Sequence, residues 1–309
     1  MNYLKFKLLI FLIILISLES NAQMRVIGYF PSWKPELIET LPYEQLTHIN
    51  FAFLSLYPDG SLRPFEKNYE LEQVVKKAHA KGVKVLISVG GWELGDGGGV
   101  DDAFEIMASK SKSRKRFVKQ LSSFLDSYSL DGADIDWEFP DQEQSGIYFD
   151  SLMRELNNEL APKNKLLTVA VVPSDYHGKH ILSSSLQYLD FLNIMAYDGG
   201  TPHSSYEYAV ESFNYWKIRG MSSDKIVIGV PFYGRHETAY MGYNEILSAD
   251  PTAYDKDIFN SIEYNGAVTI KKKAQFAKQN AGGIMIWELS QDVFGPKSLL
   301  KVIYDIKMQ

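Results

Sequence analysis

Three acids stand at alternate positions in a short apolar run. In DGADIDWEF, residues 131–139, Asp134, Asp136 and Glu138 interleave with Ile135, Trp137 and Phe139. An extended strand sends successive side chains to opposite faces, so the carboxylates share one face and the apolar residues the other. Neighbouring acids on that face stand about 6.5–7 Å apart. Like charges and desolvation both raise a carboxyl pKa, so three such groups do not all ionise cheaply in a confined site. At least one then keeps its proton near neutral pH, the state a general acid needs. Pro140 cannot donate to a ladder and ends the strand, which leaves Glu138 nearest its C-terminal end.

Other uses of such a row are tested on the same residues. A solvated strand face conflicts with the alternating Ile, Trp and Phe. A calcium loop of the EF-hand type fails, because the third position from Asp131 is Ala133 and the sixth from Asp134 is Phe139 rather than Gly. A carboxylate metal cluster of another spacing stays open on the residues alone. A structural ion pair finds few inward Lys or Arg on nearby runs.

The elements that must hold this row follow from the hydrophobic pattern. Strand candidates are 25–30, 48–54, 84–89, 132–138, 166–172, 191–197, 226–232 and 283–287. Helical spacing of apolar residues appears at 69–81, 112–128, 147–160, 207–218, 269–279 and 298–306. Strands that are nearly all apolar and alternate with helices imply a parallel sheet buried on both faces. A doubly wound open sheet would carry a Gly-rich phosphate turn after its first strand, and here that strand runs into FPSW. Eight strand–helix units in one chain of this size predict the α/β class and a single (β/α)8 TIM barrel. Such barrels hold their sites at the C-terminal rim, toward which the three acids climb. The long connection 235–282 reads as a loop-rich excursion, too short for a full α+β insertion domain once its helix is subtracted.

Composition narrows the chemistry. The 309 residues are 45% hydrophobic, enough for a sizeable core. A net charge of −6 and no basic run longer than three exclude nucleic acid as a natural partner. The absence of cysteine excludes disulfides, thiolate catalysis and cysteine metal sites. At the N-terminus, Lys5 and Lys7 precede the apolar run 8–18, and small residues Ser20 and Ala22 follow. That is the pattern of a secretory signal cleaved near Ala22, the run being short of the roughly 20 residues that span a bilayer. The expected domains are therefore a signal at 1–22 and a catalytic barrel at 23–309, in a monomer secreted or periplasmic, with no membrane partner after processing.

DGADIDWEFP resembles the DxxDxDxE signature of glycoside hydrolase family 18, the chitinases and endo-β-N-acetylglucosaminidases. Ala133 departs from it by replacing a bulkier aliphatic residue. SVGG (88–91), MAYD (195–198), GVPFYGR (229–235) and GGIMIWE (282–288) resemble the family's motifs on the third, sixth, seventh and eighth strands. The resemblance covers the chain after the signal. It implies a retaining hydrolase acting next to N-acetylglucosamine in chitin or chito-oligosaccharides, with the substrate's acetamido group as nucleophile. It also implies that Glu138 is the acid and base, that Asp136 orients the acetamido N–H, and that Asp134 supports Asp136 by sharing its proton. Tyr197 would meet the acetamido carbonyl, with Met195 and Asp198 lining the same sugar site. Trp287 would be its floor, followed by a non-proline cis peptide bond. Tyr29, Phe53, Tyr233 and Arg235 become pocket residues, with barrel packing as the alternative for Tyr29 and Phe53. Gly91 and Trp92 border the cleft, though the glycines of SVGG also suit close backbone approach and Trp92 could instead cap the Gly-rich loop after it. No cofactor or metal is implied, and the partner is a GlcNAc-containing glycan. Two alternatives share the barrel: an endo-β-N-acetylglucosaminidase on N-glycan cores, and a non-catalytic glycan-binding chitinase-like protein. The short excursion implies an open groove and internal cleavage.

Overall fold

The computed structural model describes residues 24–92 and 102–309. The segment read as an export signal lies outside them, as does the Gly-rich run after Trp92. Eight strands close one parallel barrel: β1 (Arg25–Pro31), β2 (His48–Leu54), β3 (Lys84–Gly90), β4 (Gly132–Asp136), β5 (Leu166–Val171), β6 (Phe191–Ile194), β7 (Ile226–Pro231) and, after four further short strands, β12 (Gly283–Trp287). They pair in sequence order, and β12 closes the ring against both β7 and β1. Helices α1 (Leu37–Thr40), α2 (Asn68–His79), α3 (Asp102–Ser109), α4 (Ser111–Ser127), α5 (Glu143–Leu160), α6 (Asp175–Gly178), α7 (Tyr206–Ile218), α8 (Tyr243–Ala249), α9 (Ala267–Asn280) and α10 (Leu299–Met308) complete the connections. Among the described residues no helix is long and apolar enough to cross a membrane.

The period of two divides the core. Outward strand residues such as Ala133, Ile135, Val169 and Ile228 join the helices' buried stripes in one large cluster. Inward residues Ile27, Tyr29, Ala52, Phe191, Val227 and Met285 fill the barrel axis with Tyr197 and Tyr233. Val74, Val75 and Ala78 of α2, and Leu121 and Leu125 of α4, show the helical spacing that buries one face of each.

Three expectations change. First, β4 ends at Asp136 and β6 at Ile194, so Glu138 and Tyr197 lie past the last ladder residues. Second, α3 follows the Gly-rich run as a helix that the sequence reading did not contain. Third, the excursion is folded. β8 (Tyr233–His236), β9 (Ala239–Gly242), β10 (Ile258–Phe259) and β11 (Ile262–Glu263) form an antiparallel sheet in the order β10-β11-β8-β9, with α8 beside it. Strands of two to four residues carry too little periodicity to be read. The clearest missed signal is Asn260-Ser261, both at positive φ, which is the tight hairpin turn between β10 and β11.

Candidate active site

The acids leave the sheet face in order. Asp134 pairs in register with Ser88 of β3 and Thr168 of β5, and Asp136 with Gly90. On the opposite face Trp137 is buried and stacks on Phe104 of α3, ring centroids 5.2 Å apart and planes 7° from parallel. That packing fixes the backbone from which Asp136 and Glu138 project.

Asp134 is fully buried and accepts four hydrogen bonds. Tyr29 Oη (2.6 Å) and Ser88 Oγ (3.1 Å) donate to Oδ2. Thr168 Oγ1 (2.5 Å) and Asn193 Nδ2 (3.0 Å) donate to Oδ1. Burial pushes its carboxyl above the ordinary value, and the four donors oppose that push. Asp136 is also buried, but its bond goes to Glu138, so one of those two carboxyls must carry a proton. Burial, then the charges of Glu138 and Asp134, hold Asp136 well above the carboxylate range. Its Oδ1 is buried without a partner. Glu138 is thus the hydrogen-bond partner of Asp136, and Asp134 acts on Asp136 through its charge.

A cavity of about 210 Å³ opens over this pair. Asp136, Glu138, Tyr197 and Asp198 supply its polar walls; Tyr29, Trp92, Met195, Tyr233 and Trp287 supply the rest. Burial, followed by the charges of Asp136 and Glu138, raises the Tyr197 phenol well above its usual range, so it stays a donor. Asp198 accepts from Tyr233 Oη at 2.8 Å and pairs with Arg235 at 3.0 Å. Burial raises its carboxyl, but the bonds from His203 and Tyr233 and the Arg235 charge bring it below the ordinary value. Trp287 stands at the end of β12, and its peptide bond to Glu288 is cis.

The remaining expected residues divide. Tyr29 lines the cavity and also donates to Asp134. Phe53 and Gly91 sit behind the cavity wall rather than in it. The Phe53 ring stacks on Trp287 with centroids 5.9 Å apart. Gly91, at φ +80°, donates to the Asp136 carbonyl at 2.8 Å, and a Cβ there would come within 2.5 Å of the Phe53 ring. Arg235 lines two grooves that flank the cavity, not the cavity itself. Each groove has a volume of about 530 Å³. One is walled by Phe139, Tyr176 and His177, and the other by Trp33, Tyr240, Glu288 and Gln291. Trp92 borders both, and its edge meets Trp287 and Phe53 at 5.4 Å each.

Sequence reasoning missed Thr168, Asn193 and Trp33. The first two are single polar residues at inward positions of LLTVAVV and FLNIMAY, a visible break in otherwise apolar strands.

The family model described as glycosyl hydrolases family 18 matches residues 25–292. A family 18 chitinase from the chitin utilization locus of Flavobacterium johnsoniae superposes with a TM-score of 0.82 at 33% identity, over 93% of this chain and 94% of that one. A chitinase from Bacteroides thetaiotaomicron gives a TM-score of 0.83 at 32% identity, over 92% and 97%. The endochitinase of Manduca sexta is 28% identical over 74% of this chain, which spans about half, 48%, of that longer protein. Human chitinase-3-like protein 2 is 24% identical over 93% of this chain and 91% of its own length.

Proposed function

Because the chain belongs to glycosyl hydrolases family 18, a family of glycosidases, we propose that it cleaves β-1,4 bonds next to N-acetylglucosamine in chitin and chito-oligosaccharides. The observation that carries this reading is the unpartnered Asp136 Oδ1 beside Glu138, in a cavity also walled by Tyr197 and Trp287. A buried acceptor without a donor is costly, and an acetamido N–H supplies the missing donor.

In the proposed reaction the sugar rests on Trp287, whose aromatic face matches the apolar face of the ring. Glu138 gives its proton to the glycosidic oxygen as the bond to the anomeric carbon breaks. The acetamido carbonyl oxygen attacks that carbon from the other side and forms an oxazolinium ion. Tyr197 donates to this oxygen and positions it, while Asp136 accepts from the N–H and offsets the growing positive charge. Asp134, held by its four donors, stays fixed beneath Asp136. Water then adds at the anomeric carbon, gives its proton to Glu138 and releases the product with retained configuration.

The two flanking grooves support cleavage within a chain, since sugar units can extend from the cavity in both directions. The N-terminal pattern supports export with cleavage near Ala22. Chitohexaose and a high-mannose glycoprotein, incubated with the protein and read by mass spectrometry, test the substrate. Internal cleavage of the first, and none of the second, is expected. Glu138→Gln should lower turnover by about 10²–10⁴-fold while leaving oligosaccharide binding intact. Undiminished cleavage by that variant would overturn the mechanism.

A further inference from the structure

Lys273 is 1% exposed and lies on α9, outside the catalytic cavity. A buried ammonium loses its hydration, and an apolar side chain of similar volume would pack there without that cost. Burial brings it down to about 7, against the charges of Asp257 and Glu207. Its contacts say what the side chain is for. Nζ donates to the Ser204 carbonyl at 2.9 Å, to Ser204 Oγ at 2.8 Å and to Asn265 Oδ1 at 2.7 Å. Asn265 Nδ2 donates to the same Ser204 carbonyl at 2.7 Å. Ser204 Oγ in turn donates to the Ala196 carbonyl at 2.7 Å.

Ala196 immediately precedes Tyr197 and Asp198. The stretch from Ala196 to Ser204 is therefore a loop fastened at both ends by one serine. Within it the Gly199 amide donates to the His203 carbonyl at 3.0 Å, and the His203 amide to Glu263 Oε2 of β11 at 3.2 Å. Asp198 sits at φ +59°, a left-handed conformation that a non-glycine residue keeps when its surroundings hold it. Neither Tyr197 nor Asp198 lies in a ladder, since β6 ends at Ile194. Beside the bonds that Tyr233 and Arg235 make to Asp198, this fastening ties the segment to α9 and to Asn265.

We propose that Lys273 is a positioning residue for the glycosidase reaction: through Ser204 it fixes the Tyr197–Asp198 segment, and so sets where the Tyr197 hydroxyl meets the acetamido carbonyl. This rests on the functional reading above. Asn265 ties the same serine to the folded excursion, so the segment is held from two elements at once.

The test uses the full chain with Lys273→Met and, separately, Ser204→Ala. The second keeps Lys273 and its bonds to the Ser204 carbonyl and Asn265, and removes the hydroxyl that accepts from Lys273 and donates to Ala196. Steady-state kinetics on chitohexaose, affinity for an N-acetylglucosamine-derived thiazoline that mimics the oxazolinium ion, and crystal structures of each variant are compared with the wild type. In both variants kcat per folded molecule should fall about 10–100-fold, the loss expected of a displaced catalytic group. KM should move less than about threefold, and thiazoline affinity should fall with kcat. Lys271→Met, on the exposed face of α9, should behave as wild type. The crystal structures should show Tyr197 and Asp198 displaced. Wild-type kcat and thiazoline affinity in both variants, or an unmoved Tyr197, would overturn the proposal. If Lys273→Met does not fold, Ser204→Ala carries the same comparison. If the wild type cleaves no GlcNAc-containing glycan, the glycosidase reading fails by itself, and the position of Tyr197 in the variant crystals still decides the role of Lys273.

Discussion

Asp134 and Asp136 have the same side chain, two residues apart on one face, and opposite surroundings. Four donors fill the lone pairs of Asp134, while Asp136 keeps one oxygen bare and spends the other on Glu138. Asp134 is fixed by its donors; Asp136 is the group that can change partners. A proton shared by two carboxyls belongs to the pair, and the negative charge of one helps the other hold it. Asp136→Asn removes that charge. The alkaline limb of kcat/KM should then move to lower pH, with kcat down at least about 10²-fold from the lost electrostatic support. A pH–rate profile checks both, and an unmoved limb would separate the two acids. The three acids were legible because alternation with Ile and Trp is rare. Thr168 and Asn193 were not, since one polar residue in an apolar strand is equally consistent with packing. Only the closed barrel brings both to Asp134.

At the scale of elements, the strands were legible and their ends were not. Hydrophobic alternation runs on to Glu138 and Tyr197, whereas the ladders stop at Asp136 and Ile194. Pattern reports burial, and burial continues past the last hydrogen bond. α10 shows how much an end can depend on one side chain. Asp292 accepts from the amides of Val293, Leu299 and Leu300 at 2.8–3.0 Å and from Ser298 Oγ at 2.7 Å. It thereby satisfies donors that the first turn leaves without helical partners. Asp292→Ala should destabilise the protein by about 1–3 kcal/mol, read from the denaturant midpoint. Because α10 packs on α9, the loss should appear in the single global transition rather than as local fraying.

Over the whole molecule, two cores share one set of strands. The outer core was readable from helical and strand periods together. The inner one was readable only as the complementary positions, and the antiparallel sheet of the excursion left no signal beyond its Asn260-Ser261 turn. The base of the barrel carries a pH liability. His48 points inward there, edge-on to Phe191 at 5.5 Å, and burial together with Lys84 and Arg25 pushes it down to about 3. The unfolded chain binds that proton near the ordinary value of about 6.5. Between these values the unfolded state holds more protons, so stability is full above about 6.5 and is lost as pH falls toward 3. His48→Gln should flatten this part of the stability–pH curve, measured by urea denaturation at stepped pH. An unchanged slope would assign the acid loss to other groups.

Ser204 is gripped by Asn265, just beyond the antiparallel sheet, and by Lys273 on α9, although it belongs to the connection after β6. The excursion is thus not a modular ornament on the rim. A chimera that trades it for a relative's version would have to carry both residues across, or the barrel would close correctly around a tyrosine aimed at the wrong atom.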